Sequence, residues 1–129
     1  MQPSPELRQA VLDFYKALDA NDLQAITRLQ SSAPEALVIG TDDTEWWIGP
    51  QQVIDKFGRQ LAQQPELTFE PGDVQALEDE DGRVGCFADR VTIRGAGDGA
   101  VTARLTGVAV REQDGWKLLQ SHLSIGADA

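Results

Sequence analysis

His122 is the chain's only histidine, so any imidazole chemistry has to happen there. It stands in Gly115-Trp116-Lys117-Leu118-Leu119-Gln120-Ser121-His122-Leu123-Ser124, which reads as a strand. Side chains on a strand alternate between faces, so Trp116, Leu118, Gln120, His122 and Ser124 are expected on one side. An aromatic, an aliphatic and three hydrogen-bonding groups in one row suit the wall of a concave, partly apolar pocket. In such a wall His122 is a proton carrier near neutral pH or a hydrogen-bond partner for a ligand. Otherwise it is a structural histidine satisfied by its neighbours. Gln120 and Ser124 share its face, where they either meet a ligand or bond at a sheet or subunit interface.

Asp89 is the second candidate. In Phe87-Ala88-Asp89-Arg90-Val91, alternation sends Phe87, Asp89, Val91 and Ile93 one way and Cys86, Ala88 and Arg90 the other. A charge among apolar neighbours is costly unless it is paired. Asp89 is therefore a candidate pocket acid, with Arg104 on the next strand as its possible counter-ion. The more ordinary reading is a salt bridge at the surface or at a dimer interface. An acid and His122 facing one cavity would form a workable acid–base pair. Trp46 and Trp47 precede a helix; one is expected in the core and the other at the pocket rim. Cys86, the single cysteine, is expected to be a buried thiol. Asp42, Asp43 and Glu45 form an acidic patch without the histidines of a transition-metal site, and no metal is expected. Gly95-Ala96-Gly97-Asp98-Gly99 joins two strands without entering a helix, so it is not a phosphate cradle. No cofactor is expected.

These residues need elements to hold them. Ser4-Pro5 opens a first helix, with Ser4 as its cap and Leu7, Val11, Phe14 and Leu18 as its buried stripe. Asn21 or Asp22 caps a second helix, with Leu23, Ile26 and Leu29 on its apolar side. Ala36-Leu37-Val38-Ile39 reads as a short strand. Gly49-Pro50 starts a third helix over Val53, Ile54, Phe57 and Leu61, and Pro65 ends it. The pattern then changes to period two. One long strand is expected from Leu67 to Glu80, interrupted at Pro71-Gly72, followed by strands at 83–94, 100–112 and 116–125 with short glycine-containing turns between them. Helices followed by an antiparallel meander predict an α+β fold, a curved antiparallel sheet wrapped around three N-terminal helices.

Composition bounds the partners. The 129 residues fit one domain, spanning 1–129. A net charge of −10 repels phosphate backbones and anionic lipid, so neither nucleic acid nor membrane is an expected partner. The N-terminus has no basic start or apolar run, no stretch is long enough to span a bilayer, and a cytoplasmic location is expected.

The order of elements and three local words resemble the nuclear transport factor 2-like superfamily, and within it the SnoaL-like group. The words are Ala17-Leu18-Asp19-Ala20-Asn21-Asp22-Leu23, Glu45-Trp46-Trp47-Ile48-Gly49-Pro50, and the ending from Asp114 to Ser124 with its Trp…His-x-Ser pattern. The resemblance covers nearly the whole chain. It implies a cone-shaped, cystatin-like α+β barrel, a pocket between sheet and helices, and frequent homodimers. It does not imply one activity. Ketosteroid isomerase-like members use a helix-one tyrosine, a protonated acid and a carboxylate base. By resemblance Phe14 stands at the tyrosine's position, with Tyr15 one residue away. The base position falls near Ile39-Gly40-Thr41, where no acid stands and Asp42 is the nearest substitute.

The resulting expectation is a domain that binds a small hydrophobic ligand, with Trp46, Trp47, Gln120, Ser124, Arg104, Phe14 and Tyr15 as candidate contacts. A cofactor-free isomerase, cyclase or hydratase of a hydrophobic carbonyl compound, using His122 and Asp89, is the catalytic alternative. A non-catalytic dimerisation or assembly module is the other. A homodimer is the expected state.

Overall fold

In the computed structural model, which describes residues 1–127, the chain begins with a two-residue strand, β1 (Gln2–Pro3), and enters helix α1 (Pro5–Asp19). Ser4 caps α1: its Oγ accepts the Leu7 amide proton at 3.2 Å, and Pro5 sits where no amide proton is needed. Leu7, Val11, Phe14, Tyr15 and Leu18 are buried along one face of α1. Asn21 takes a positive φ of 54°, which turns the chain sharply. Asp22 then caps α2 (Leu23–Leu29) through the Ala25 amide at 3.1 Å.

Strands β2 (Leu37–Ile39) and β3 (Trp46–Ile48) form a hairpin ahead of α3 (Pro50–Gln63). Gly49, at φ +88°, makes the turn into that helix, a conformation that side chains with a Cβ rarely adopt. The remaining strands are β4 (Thr68–Glu70), β5 (Gln75–Glu78), β6 (Val84–Arg94), β7 (Ala100–Glu112) and β8 (Gly115–Ile125). They join one sheet in the order β1-β5-β6-β7-β8-β2-β3, with β4 paired to the far end of β6. Helix α1 lies against β4, β5, β6 and β8, so the core sits between the helices and the concave face of the sheet. No described helix is long and apolar enough to cross a membrane.

The α+β cone matches the sequence reading, with four local differences. The sheet is mixed, because β2 runs parallel to β8. The segment expected as one interrupted strand is two: β4 pairs with Thr92–Arg94 and β5 with Gly85–Ala88. Pro71 has no amide proton, and a Cβ on Gly72 would run into the Arg90 carbonyl, so the chain leaves the ladder there. Trp46–Ile48 is a strand rather than a lead-in to α3. Cys86 is exposed, because alternation along β6 places it on the face away from the helices.

A β-bulge has the largest consequence. Val108 pairs with Gln120, but Ala109 pairs with Leu118, leaving Leu119 without a partner. One extra residue reverses the facing of everything beyond it. Trp116 and Leu118 are buried; after the bulge Ser121 is the buried residue, while Gln120 and His122 are exposed.

Candidate functional site

The concave side of the sheet does not close on the helices completely. A cavity of about 100 Å³ remains between α1, α3, β2–β3 and the ends of β7 and β8. Its walls are aromatic and aliphatic. Phe57 of α3 meets Phe14 edge-on at 6.0 Å between centroids and Trp47 edge-on at 5.3 Å. Tyr15 stacks on Phe69 at 6.4 Å, the planes 6° apart. Edge-to-face and stacked rings hold one another in fixed orientations, so the walls are pre-formed. Leu18, Val38, Ile39, Leu105 and Leu123 complete the apolar lining.

Few polar groups interrupt it. Tyr15 Oη donates to Asp89 Oδ2 at 2.8 Å, and the Gly72 amide donates to both Asp89 oxygens at 3.2 Å. Burial, then the hydrogen bond to Asp89, then that residue's negative charge push the Tyr15 hydroxyl far above the usual tyrosine range. The phenol is therefore neutral, and its one proton is committed to Asp89.

Glu45 supplies a carboxylate at the mouth. Its Oε1 accepts the Asp42 amide proton at 2.9 Å, and its Oε2 accepts from Gln60 Nε2 at 3.2 Å. The carboxylate lies against Gly40: a Cβ there would come within 2.7 Å of Glu45 Cδ. Glycine at position 40 thus makes room for an acid that folds back from the hairpin turn. Asp42, the nearest acid in sequence to the Ile39-Gly40-Thr41 position, is exposed and turned to its own loop. Its Oδ1 accepts from the Thr44 amide at 2.9 Å and hydroxyl at 3.0 Å, and these bonds hold its carboxyl below the usual range.

The other sequence candidates divide between the two sides of the sheet. Phe14, Tyr15 and Trp47 line the cavity. Asp89 is buried directly behind Tyr15, as its alternation predicts, but Arg104 is not its counter-ion. Arg104 pairs with Arg90 across the ladder, and its Nε donates to Ser124 at 3.2 Å. Tyr15 and Gly72 satisfy Asp89 instead. The row Trp116, Leu118, Gln120, His122, Ser124 does not share a face, because the Leu119 bulge separates its two halves. His122 lies opposite Thr106, exposed, and the structure does not bring it together with Asp89 in one cavity. Trp46 is 58% exposed where Trp47 is 7%, so one tryptophan serves the interior and the other the outer surface. Ser121, Glu45 and Gln60 were missed. The doubled Leu118-Leu119 is the one sequence signal that could have moved Ser121 inward. Glu45 had none, since its place depends on the Gly40 turn.

The comparisons with known proteins bear on this arrangement. The sequence matches the SnoaL-like domain over residues 7–128. A search of curated proteins finds no match. Among solved structures, an NTF2-like protein of unknown function from Pseudomonas putida aligns with a TM-score of 0.84 at 15% identity, covering 95% of this chain and 86% of that one. A candidate dehydratase of the NTF2-like family from Streptomyces avermitilis aligns at 0.81 and 19% identity, covering 95% of each chain. A candidate calcium/calmodulin-dependent protein kinase type II association domain from Thiobacillus denitrificans aligns at 0.75 and 20% identity, covering 98% of each. At such identities the structural likeness speaks for the fold alone. The family match spans almost the whole chain, and the chain belongs to the SnoaL-like domain family.

Proposed function

We propose that the cavity between α1, α3 and the concave face of the sheet binds a small, largely apolar molecule. The observation that carries this reading is a pre-formed hollow, walled by five aromatic side chains, that the protein's own residues leave unfilled. Interiors are normally close-packed, and an apolar hollow forfeits dispersion contacts that a ligand would restore. At about 100 Å³ the hollow is smaller than the roughly 150 Å³ cavity that encloses benzene, so it takes no more than a single ring, with any substituent reaching out through the mouth. Benzyl alcohol is a suitable probe. Calorimetric titration is expected to give saturable one-site binding to the native chain. Val38→Phe, which pushes a ring into the hollow from β2, should weaken that binding at least about tenfold while leaving the circular dichroism unchanged. Equal binding by both proteins would overturn the reading.

A second reading concerns the opposite face, and it is compatible with the first. One row across the outer side of the sheet runs Leu77, Cys86, Val108, Gln120, Leu37, Ile48 in register, apolar except for Gln120 and Cys86. Leu77 and Ile48 are exposed, as is Trp46 beside Ile48. A largely apolar row that is partly open to solvent suits self-association through a two-fold axis. Sedimentation equilibrium at micromolar concentration should give a dimer for the native chain and a folded monomer for Val108→Glu. A native monomer would remove this reading and leave the first one standing.

A further inference from the structure

We infer that the ligand of this cavity is a small organic cation, a protonated amine carried on one hydrophobic ring, with Glu45 as its charge partner. The inference rests on the reading of the hollow as a ligand site and goes on to the ligand's charge.

Among the described residues that line the cavity, Glu45 is the only charged side chain. No Lys, Arg or His reaches it. A second carboxylate, Asp89, lies just behind the Tyr15 ring. Two negative charges bracket the cavity, and the chain as a whole carries −10. The field inside therefore repels anions and draws cations.

Hydrogen-bond supply agrees with the charge. Tyr15 Oη donates its hydrogen bond to Asp89, and Gln60 Nε2 donates one to Glu45. Acceptor capacity remains in the Gln60 side-chain oxygen and in free lone pairs on both Glu45 oxygens, each of which takes one donor from the protein. The second N–H of the Gln60 amide and the Thr41 and Ser121 hydroxyls can still donate, all of them neutral groups. An ammonium is the complementary partner, with three donors and no acceptor. A ligand carboxylate or phosphate would meet repulsion from Glu45 and no positively charged donor among the lining residues.

The walls complete the match. Phe14, Tyr15, Trp47, Phe57 and Phe69 line the cavity. Aromatic faces are electron-rich, and a cation over them is attracted most strongly where water is excluded. An apolar ring fills the hollow while its ammonium reaches the mouth, where the Gly40 turn holds the Glu45 carboxylate.

A charge series of near-equal shape tests this: benzylamine (protonated at neutral pH), benzyl alcohol and benzoate, titrated calorimetrically into the native chain and into Glu45→Gln. The variant keeps an oxygen acceptor for the Asp42 amide, and its thermal melt confirms folding. Benzylamine is expected to bind the native chain about tenfold more tightly than benzyl alcohol, with benzoate the weakest. In Glu45→Gln the ratio of benzylamine to benzyl alcohol affinity should fall to about twofold or less. Raising the salt concentration should narrow the native preference in the same direction. Benzyl alcohol binding as tightly as benzylamine would overturn the cation inference and leave the pocket reading intact. A tenfold preference that survives Glu45→Gln would also overturn it, since Glu45 would not be its source. If none of the three binds, the pocket reading falls and the inference falls with it.

Discussion

Gly107→Ala should lower the melting temperature by roughly ten degrees, a loss of about 3 kcal/mol or more. Gly107 faces the core from β7, opposite Phe87 on β6 and Ser121 on β8. A Cβ at this position would overlap both the Phe87 ring and the Gln120 carbonyl oxygen. Phe87 is buried and cannot swing out, and Gln120 is held by the ladder beside the bulge, so the backbone itself has to move. Relief would displace the segment that turns Ser121 and Leu123 toward the cavity. Gly97→Ala is the control. Nothing lies within 4 Å of a Cβ there, and its effect should stay within about 0.5 kcal/mol. Thermal and urea denaturation of the two variants measure the difference. Equal melting temperatures would mean that β7 and β8 are not packed as described.

Asp89→Ala is expected to cost about 3 kcal/mol. It removes the acceptor of the Tyr15 hydroxyl and of the Gly72 amide, leaving the Tyr15 donor unmet in the buried core while the exposed Gly72 turns to water. The same pair sets an alkaline limit. The folded Tyr15 hydroxyl is raised above its ordinary value of 10.0, first by burial and then by Asp89. Its folded form therefore holds a proton that the unfolded chain loses above about pH 10. The stabilisation is complete below that pH and declines as pH rises through and beyond it. Tyr15 is the only tyrosine, so the phenolate absorbance of the whole protein reports this one group. It should appear together with loss of the native circular dichroism, and Tyr15→Phe should remove the alkaline decline. Ionisation near pH 10 with the fold intact would contradict the buried Tyr15–Asp89 bond.

Individual residues show why part of this was legible in the sequence. Ser4-Pro5 and Asp22 announce their helices because capping chemistry is local. Asp89 was read to the correct face because β6 alternates without interruption from Gly85 to Val91. The same rule failed on β8, where the bulge at Leu119 depends on a partner strand far away in sequence. It sent Gln120, His122 and Ser124 to the wrong side and hid Ser121. Strands as short as Gln2–Pro3 and Trp46–Ile48 carry too few residues for any period to show. Glu45 reads as one acid in an acidic loop; only the folded turn reveals that glycine at 40 receives its carboxylate. Alternation and capping survive in one dimension, whereas bulges and close approaches are properties of pairs.

The proposed ligand site is the cavity on the concave side of the sheet. Chemical-shift mapping of backbone amides during a benzyl alcohol titration tests this directly. Saturable shifts are predicted at Val38, Thr41, Leu105, Ser121 and Leu123, with His122 and Arg104 unmoved apart from effects carried through a neighbouring peptide bond. Shifts that never saturate, or that centre on the outer face around His122, Thr106 and Arg104, would contradict it.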